Sequence, residues 1–345
     1  MSIMIREGSI RRDLDKIIPS VLSHKTYLDR LMFCSDGVNP KDLLEFGLID
    51  HCVRKSIALG MDKIDAISIA SKNCFDYYNM GRDYGGIAPG KMADILVFDD
   101  FETLKPKKVF VGGKLVVSHG ELVTKFNAAK IPEWITKTVK TRRKFIEKDF
   151  VIKSLAKSVK AMVIKLDTEI ITKKDYEELQ TKEGNIISSF DKDVWKVAAI
   201  DRTHGTGKFA VGFLKNFGAD IGAFACTQSF HENDLIVIGS NEKDMAFAVN
   251  KLSDVQGGVI AVKNQKILAI YSLPIAGLLS KLPFENALLE FSNLNEKIVD
   301  AGCKFKNPHL IPLFLPFLAL PEVRILYSGI VDIKNRTYID ILNTP

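Results

Sequence analysis

The chain has no histidine pair at metal-ligand spacing. His24, His51, His119, His204, His231 and His309 stand singly, without H-x-H or H-E-x-x-H. Cysteine is scarce: Cys34, Cys52, Cys74, Cys226 and Cys303 are dispersed, odd in number and free of C-x-x-C spacing. That pattern argues against a disulfide framework and fits a reducing compartment. No apolar run is long enough to span a bilayer, and the most apolar segment, 310–320, is broken by Pro312 and Pro316. Arg6, Glu7, Arg11, Arg12 and Asp13 interrupt any signal-peptide core. A cytoplasmic chain without a membrane partner is expected. Asp201 to Lys208 lacks the G-x-x-x-x-G-K-[ST] spacing of a triphosphate loop. The net charge of +6 over 345 residues is modest. It comes from short runs such as Lys105-Pro106-Lys107-Lys108 and Lys140-Thr141-Arg142-Arg143-Lys144, which read as solvated lysines rather than a nucleic-acid surface.

What is present describes a globular protein. Apolar residues make up 46% and charged residues 26%, and the length allows two or three domains. Residues 2–5 read as a strand, 11–22 as a helix, and 27–34 lead into a second strand ending at Ser35-Asp36. Asn39-Pro40-Lys41-Asp42 is a helix start, because Asn caps free N–H groups and proline is tolerated at the first helical position. Leu43, Leu44, Phe46, Ile49, Val53, Ile57 and Leu59 then recur at helical spacing until Gly60, and 63–74 gives another helix. This strand–helix–strand–helix order suits the last units of a β/α barrel.

From Gly81 to Leu122 the pattern changes to short strands with glycine turns, clearest at 93–98 and 108–117. Residues 123–170 are lysine-rich, with apolar runs near 150–152 and 161–164, and read as a connector with some strand content. Beyond Val194, strands fit 197–200 and 235–238, helices fit 241–252 and 284–301, and a hairpin turns at Asn264-Gln265. The order is α+β, without repeats.

Three places carry candidate chemistry. Asp36 follows an apolar strand, at the face where β/α barrels keep their active sites. A carboxylate there can ligate a metal and accept the proton of metal-bound water. The alternative is a share in the helix cap with Asn39. Arg6-Glu7-Gly8-Ser9 is a second strand-end cluster. It can hydrogen-bond a planar heterocycle, or be an ordinary turn with a surface ion pair. His231-Glu232 can be an acid/base pair, or a polar loop before the strand at Leu235.

Phe33-Cys34-Ser35-Asp36, followed by Gly86-Ile87-Ala88-Pro89-Gly90-Lys91-Met92-Ala93-Asp94 and by 109–117, resembles the carboxyl end of a metal-dependent amidohydrolase. Met4-Ile5-Arg6-Glu7-Gly8-Ser9 and Leu48-Ile49-Asp50-His51 resemble the adenine deaminase family within that superfamily. So do Thr206-Gly207-Lys208, Asn216-Phe217-Gly218, Gly257-Gly258, Leu273-Pro274-Ile275-Ala276-Gly277-Leu278 and Phe317-Leu318-Ala319-Leu320-Pro321. The resemblance implies an α/β plus α+β architecture. Its parts would be the last strands of a (β/α)8 barrel at 1–80, a small β-sandwich segment at 81–125, a lysine-rich connector at 126–175 and a C-terminal α+β domain at 176–345.

It also implies hydrolysis of adenine to hypoxanthine and ammonia, in purine salvage, by a two-metal site holding Mn2+ or Fe2+. Asp36 would be metal ligand and catalytic proton acceptor. Glu7, Arg6, Ser9, His231 and Glu232 would contact the purine base. Three departures stand out. The family's His-x-His and later Glu and His ligands are missing, Gly37 replaces an acid, and Ser229-Phe230-His231-Glu232-Asn233 stands where the family has Ser-His-Asp-x-His. The chain thus resembles the second part of an enzyme. The expected partner is a polypeptide carrying the first barrel strands, or a homologous protomer in a homo-oligomer. The alternatives are a non-catalytic paralogue serving binding or assembly, and a deaminase of a related heterocycle.

Overall fold

The computed structural model describes residues 1–24, 27–101, 103–126, 129–230 and 233–342. It divides into two units, Met1–Ala129 and Lys130–Pro345. The first opens with β1 (Ile3–Arg6), α1 (Leu14–Ser23) and β2 (Leu31–Cys34). β1 and β2 pair in parallel, Ile3 opposite Leu31 and Arg6 opposite Cys34. Four short helices follow: α2 (Pro40–Phe46), α3 (Ile49–Ala58), α4 (Lys63–Ala70) and α5 (Lys72–Tyr77). Asn39 caps α2 as the sequence predicts, its Oδ1 accepting the Asp42 N–H at 2.8 Å. The single helix expected over 43–59 is instead two, because Gly47 turns left-handed at φ 89° and ends α2. The helix expected over 63–74 is likewise split, at Ser71. Ile5, Leu31 and Phe33 pack with Leu14, Ile18, Cys52, Val53, Ala66 and Ile69 into one buried cluster. Each fully buried large apolar side chain there contributes about 1.5–3 kcal/mol.

The unit closes with β3 (Ile95–Phe98), β4 (Pro106–Val111), β5 (Lys114–Ser118) and β6 (Glu121–Leu122), a four-stranded antiparallel sheet among the described residues. The strand expected over 108–117 is a hairpin turning at Gly112 and Gly113, both at positive φ. Leu96, Val109, Val117 and Leu122 face one another across its four strands. Leu96 and Leu122 are exposed.

The second unit is built on a ten-stranded sheet among the described residues. Its strands are β7 (Ile152–Lys153), β8 (Ser158–Leu166), β9 (Thr172–Lys182), β10 (Asn185–Ile186), β11 (Val194–Ile200), β12 (Phe209–Lys215), β13 (Ala223–Cys226), β14 (Leu235–Gly239), β15 (Gly258–Lys263) and β16 (Lys266–Ser272). The spatial order is β16-β15-β13-β14-β11-β12-β8-β9-β10-β7. Helix α6 (Glu242–Asp254) lies between β14 and β15 in the chain, and α7 (Phe284–Asp300) and α8 (Leu310–Phe314) follow β16. A three-stranded sheet of β17 (Val323–Leu326), β18 (Gly329–Asp332) and β19 (Thr337–Ile339) comes last. The stretch 126–175, read as a connector, is instead part of this fold from Lys130 onward, with β7, β8 and the start of β9 in the sheet.

β11, apolar but for a buried Lys196 that pairs with Glu242, shows why the central strands carry so few polar side chains. Trp195, Val197 and Ala199 join a cluster with α7, α8 and the last sheet, while Ala198 and Ile200 join α6 on the other face. The β15–β16 turn is clamped from the start of α6. The Asp244 carboxylate accepts the N–H groups of Asn264 and Gln265 at 2.9 and 2.6 Å, and both turn residues sit at positive φ. Arg324 is wholly buried, its guanidinium donating to the carbonyls of Leu320, Phe314, Ile170 and Pro321. Burial pulls its pKa down to about 10. Among the described residues no helix is long and apolar enough to cross a membrane.

His309 precedes α8, its Nδ1 2.9 Å from Asn295 Oδ1 and its ring edge-on to Phe291. Burial pushes its pKa down to about 4. The unfolded chain therefore takes up a proton below about pH 6.5 that the folded chain refuses until about pH 4. This contribution to stability is full above pH 6.5 and is lost as the pH falls toward 4. Urea unfolding should show about 2 kcal/mol less stability at pH 5 than at pH 7 from this group, and His309→Gln should remove that share of the slope. An unchanged slope in the variant would assign the pH dependence elsewhere.

Candidate functional site

The parallel pairing of β1 and β2 sets Arg6 beside Cys34 and lets the two chains leave the sheet together. Three backbone and side-chain bonds then lace the two loops. Glu7 N–H donates to Cys34 O at 2.9 Å, Ser9 N–H to Gly37 O at 3.0 Å, and Asn39 N–H to Ser9 Oγ at 2.8 Å. Gly8 is required by this closeness, since a Cβ there would lie 2.5 Å from Ser35 O and 2.9 Å from Gly37 O. Asp36 sits at φ 53°, in the left-handed region that aspartate tolerates better than most residues.

Arg6 lies between two carboxylates. Its Nη1 donates to Asp36 Oδ2 at 3.0 Å, and its Nε to Asp13 Oδ2 at 3.3 Å. Burial pulls the guanidinium down, but Asp36 and Asp13 outweigh it and hold the pKa above its usual value. The Asp36 side chain is half exposed. Arg6, Ser9 and Asp36, all singled out in the sequence, are therefore brought together at one pair of strand ends.

Glu7 is not at that surface. It is 4% exposed. Its Oε1 accepts from Lys55 Nζ at 2.8 Å, with His51 Nε2 3.8 Å away, and its Oε2 accepts the Leu14 N–H at 3.2 Å. Glu7 here ties the first turn of α1 to α3. Lys55 also meets Asp15 at 2.6 Å; burial lowers its pKa, but the two acids raise it further. His51 is held below its ordinary pKa by burial, against the pull of Glu7 and with Lys55, Arg54 and Arg12 adding to it. Lys55 was missed in the sequence. Its signal was the alternation of β1, which puts Glu7 on the same face as Ile5.

In the second unit, His231 and Glu232 lie outside the described residues. Phe230, just before them, packs on Phe314 and Phe317 at 4.8 and 5.3 Å between ring centres. The 201–208 loop folds around its own acid. Asp201 is buried, and its carboxylate accepts the N–H groups of Thr203, His204 and Thr206 and the Thr206 hydroxyl. Burial would raise the Asp201 pKa, but these donors hold it down at about 2. The amides that would cradle a phosphate in a triphosphate loop therefore point at Asp201. His204 Nδ1 is 3.3 Å from the same carboxylate.

The glycine motifs meet nearby in the same unit. Thr227 Oγ1 donates to Gly277 O at 2.7 Å and accepts the Gly258 N–H at 2.9 Å. Arg202 donates from Nε to Thr227 O and from Nη1 to Ala276 O. Burial holds Arg202 below its ordinary pKa, opposed by Cys226 and Asp234.

The described residues contain no group of three or more His, Cys, Asp and Glu able to hold a metal ion. The carboxylates at the strand ends are already engaged, Asp36 and Asp13 by Arg6 and the buried Glu7 by Lys55. A metal centre does not fit these residues alone.

Comparison with known proteins adds the following. Residues 4–116 match the amidohydrolase family model, and residues 169–337 match the adenine deaminase C-terminal domain. The first match implies a metal cofactor. The chain is 51% identical over 342 residues to an adenine deaminase of Cenarchaeum symbiosum, covering 99% of this chain and 56% of the relative. It is 33% identical to an adenine deaminase of Clostridium botulinum, covering 99% and 57%, and 34% identical to one of Desulfatibacillum aliphaticivorans, covering 99% and 59%. The chain thus spans little more than half the length of these curated relatives. A β-aspartyl dipeptidase of Fervidobacterium islandicum AW-1 shares 19% identity at a TM-score of 0.29, over 36% of this chain and 33% of that one. That likeness is too slight to argue from.

The lacing of the two loops is open to test. Gly8→Ala should force the backbone carbonyls of Ser35 and Gly37 apart, at a cost of about 2 kcal/mol. Ser9→Ala should cost about 1 kcal/mol. Amide hydrogen exchange at residues 5–7 and 33–35 should speed up about 30-fold in the first variant and by less in the second. Equal protection in Gly8→Ala would show that the loops can part freely.

Proposed function

We propose that this chain, which belongs to the adenine deaminase family, takes part in the hydrolytic deamination of adenine to hypoxanthine and ammonia. The observation that carries the reading is likeness along 99% of the chain, through both units, to relatives named adenine deaminase. Purine salvage in the cytoplasm is the setting we assign to it. The residues we assign to the reaction are those at the ends of β1 and β2. Asp36 is the chain's contribution to a manganese or iron centre, as ligand and proton acceptor. Arg6 keeps that carboxylate oriented, and Ser9 fixes the loop that carries it. The purine base is the small-molecule partner.

The finer architecture belongs to the same proposal. We read β1, β2 and α1 to α5 as the last part of an amidohydrolase barrel. Two features support a complement carrying further strands. Among the described residues β1 and β2 pair only with each other, and a parallel pair with open edges invites further parallel strands. The apolar ladder of Leu96, Val109, Val117 and Leu122 has the composition of a sandwich face, which packs on a second sheet. The length of the relatives outside the match is the natural source of both, whether on one polypeptide or on another. A second protomer is the other candidate source.

The experiment is metal analysis and ammonia release from adenine with manganese supplied. It is run on the chain alone and on the chain co-expressed with the part of the Cenarchaeum symbiosum relative outside the match. Metal uptake and ammonia release in the mixture are expected. Asp36→Asn should lower ammonia release there by at least about 100-fold. An inactive, metal-free mixture would overturn the reading.

A further inference from the structure

We propose that a cavity beside Trp195, in the second unit, binds a purine base. The cavity holds about 300 Å³ and is walled by Phe190, Asp193 and Trp195, by Gly218 to Asp220, and by Lys304. That volume is at the small end of ligand pockets, about 300–1,000 Å³, and suits one ring system better than a nucleotide. The strand-end site makes no use of this place, although Asn216-Phe217-Gly218 is among the motifs the sequence singles out.

The walls are set before any ligand arrives. Asp193, Asn216 and Gly218 all sit at positive φ, at 52°, 76° and 81°. Asp193 fixes the other two, its main-chain carbonyl accepting the Asn216 N–H at 3.0 Å and its carboxylate the Gly218 N–H. Asp193 Oδ1 accepts from Trp195 Nε1 and from Gly218 N–H, both at 2.8 Å, and its Oδ2 accepts from Lys304 Nζ at 2.5 Å. Residues held in sparse backbone regions by such a network gather at binding sites, where preorganisation lowers the ordering cost of binding.

The lining has the chemistry of a heteroaromatic base. Phe190 is 63% exposed and stands edge-on to the buried Trp195, with ring centres 5.8 Å apart. That geometry leaves a phenyl face free for stacking. Lys304 keeps further N–H donors beyond the one given to Asp193. Asp220 is largely exposed and meets Lys263 through Oδ2 at 2.8 Å, which leaves Oδ1 to accept. A donor and an acceptor on one rim match the edge of a 6-substituted purine. Adenine offers its 6-amino group beside a ring nitrogen, and hypoxanthine its N1–H beside O6. The ring would stack on Phe190, with its donor on Asp220 and its acceptor on Lys304. The choice of adenine and hypoxanthine rests on the deaminase reading, whereas the cavity and its lining do not.

Trp195 reports on the site. The chain has two tryptophans, so Trp134→Phe leaves Trp195 as the only one. Adenine and hypoxanthine are titrated into that variant and Trp195 fluorescence is followed, with circular dichroism as a check on folding. Saturable quenching is expected for both bases. Phe190→Ala should weaken it by about tenfold or more, and Lys304→Met should weaken it without altering the spectrum of the folded protein. Quenching that fails to saturate at millimolar base, or that is equal in Phe190→Ala, would overturn the proposal. Ammonia release is not part of the readout, so an inactive chain leaves this test intact.

Discussion

An apolar sheet face has to be covered, and much of this molecule follows from that requirement. In the second unit both faces of the central strands are covered, by α6 on one side and by α7, α8 and the last sheet on the other. The strands can therefore be apolar, β14 throughout and β11 at every position but Lys196, whose buried ammonium pairs with Glu242. In the first unit the cover is partial. Ile5, Leu31 and Phe33 are packed against helices, yet Ile3 and Met4 are exposed. At about 25 cal/mol per Å² of apolar surface, such faces favour whatever strand or sheet can close over them. The same requirement ties the proposed function to further strands.

Coverage also decides what could be read from the sequence. The caps and turns were legible because they depend on neighbouring residues alone. Asn39 caps α2, and Asn264-Gln265 turns the β15–β16 hairpin. The long pair β8–β9 was hidden by its charges. β9 carries Lys173, Lys174, Asp175, Glu177 and Glu178, and its polarity reads as a linker. The fold satisfies these groups across strands: Asp175 meets Lys165 and Lys215, and Glu177 meets Lys215 and Lys192. Such exposed pairs contribute little each, about 0–1 kcal/mol, so the strand is held by its ladder and by Leu179 rather than by the charges that obscure it.

That Arg6, Ser9 and Asp36 stand at strand ends was legible, because a loop leaving a parallel strand faces one end of the sheet. The partners of Glu7 were not legible, because its neighbours in sequence are not its neighbours in space. With Ile5 turned toward the helices, a period of two places Glu7 on the same side, where a lone carboxylate is costly. Lys55, 48 residues on, answers it. Nothing in the local pattern of α3 marks Lys55 for that role, so the pair emerges only when the helix is laid on the strand.

The motifs of the second unit bear on how such likeness should be weighed. Arg202, Thr227, Gly258 and Gly277 are joined almost wholly through main-chain carbonyls and amides. Gly257 allows the closest approach, since a Cβ there would lie 2.5 Å from Gly277 Cα. A glycine fixed by backbone contact constrains the fold without touching a substrate. Likeness concentrated in these residues is therefore evidence of shared packing, and chemistry has to be sought where side chains reach solvent with unused hydrogen-bonding capacity. In the described residues that condition is met at Asp36, half exposed beside Arg6, and on the rim of the Trp195 cavity.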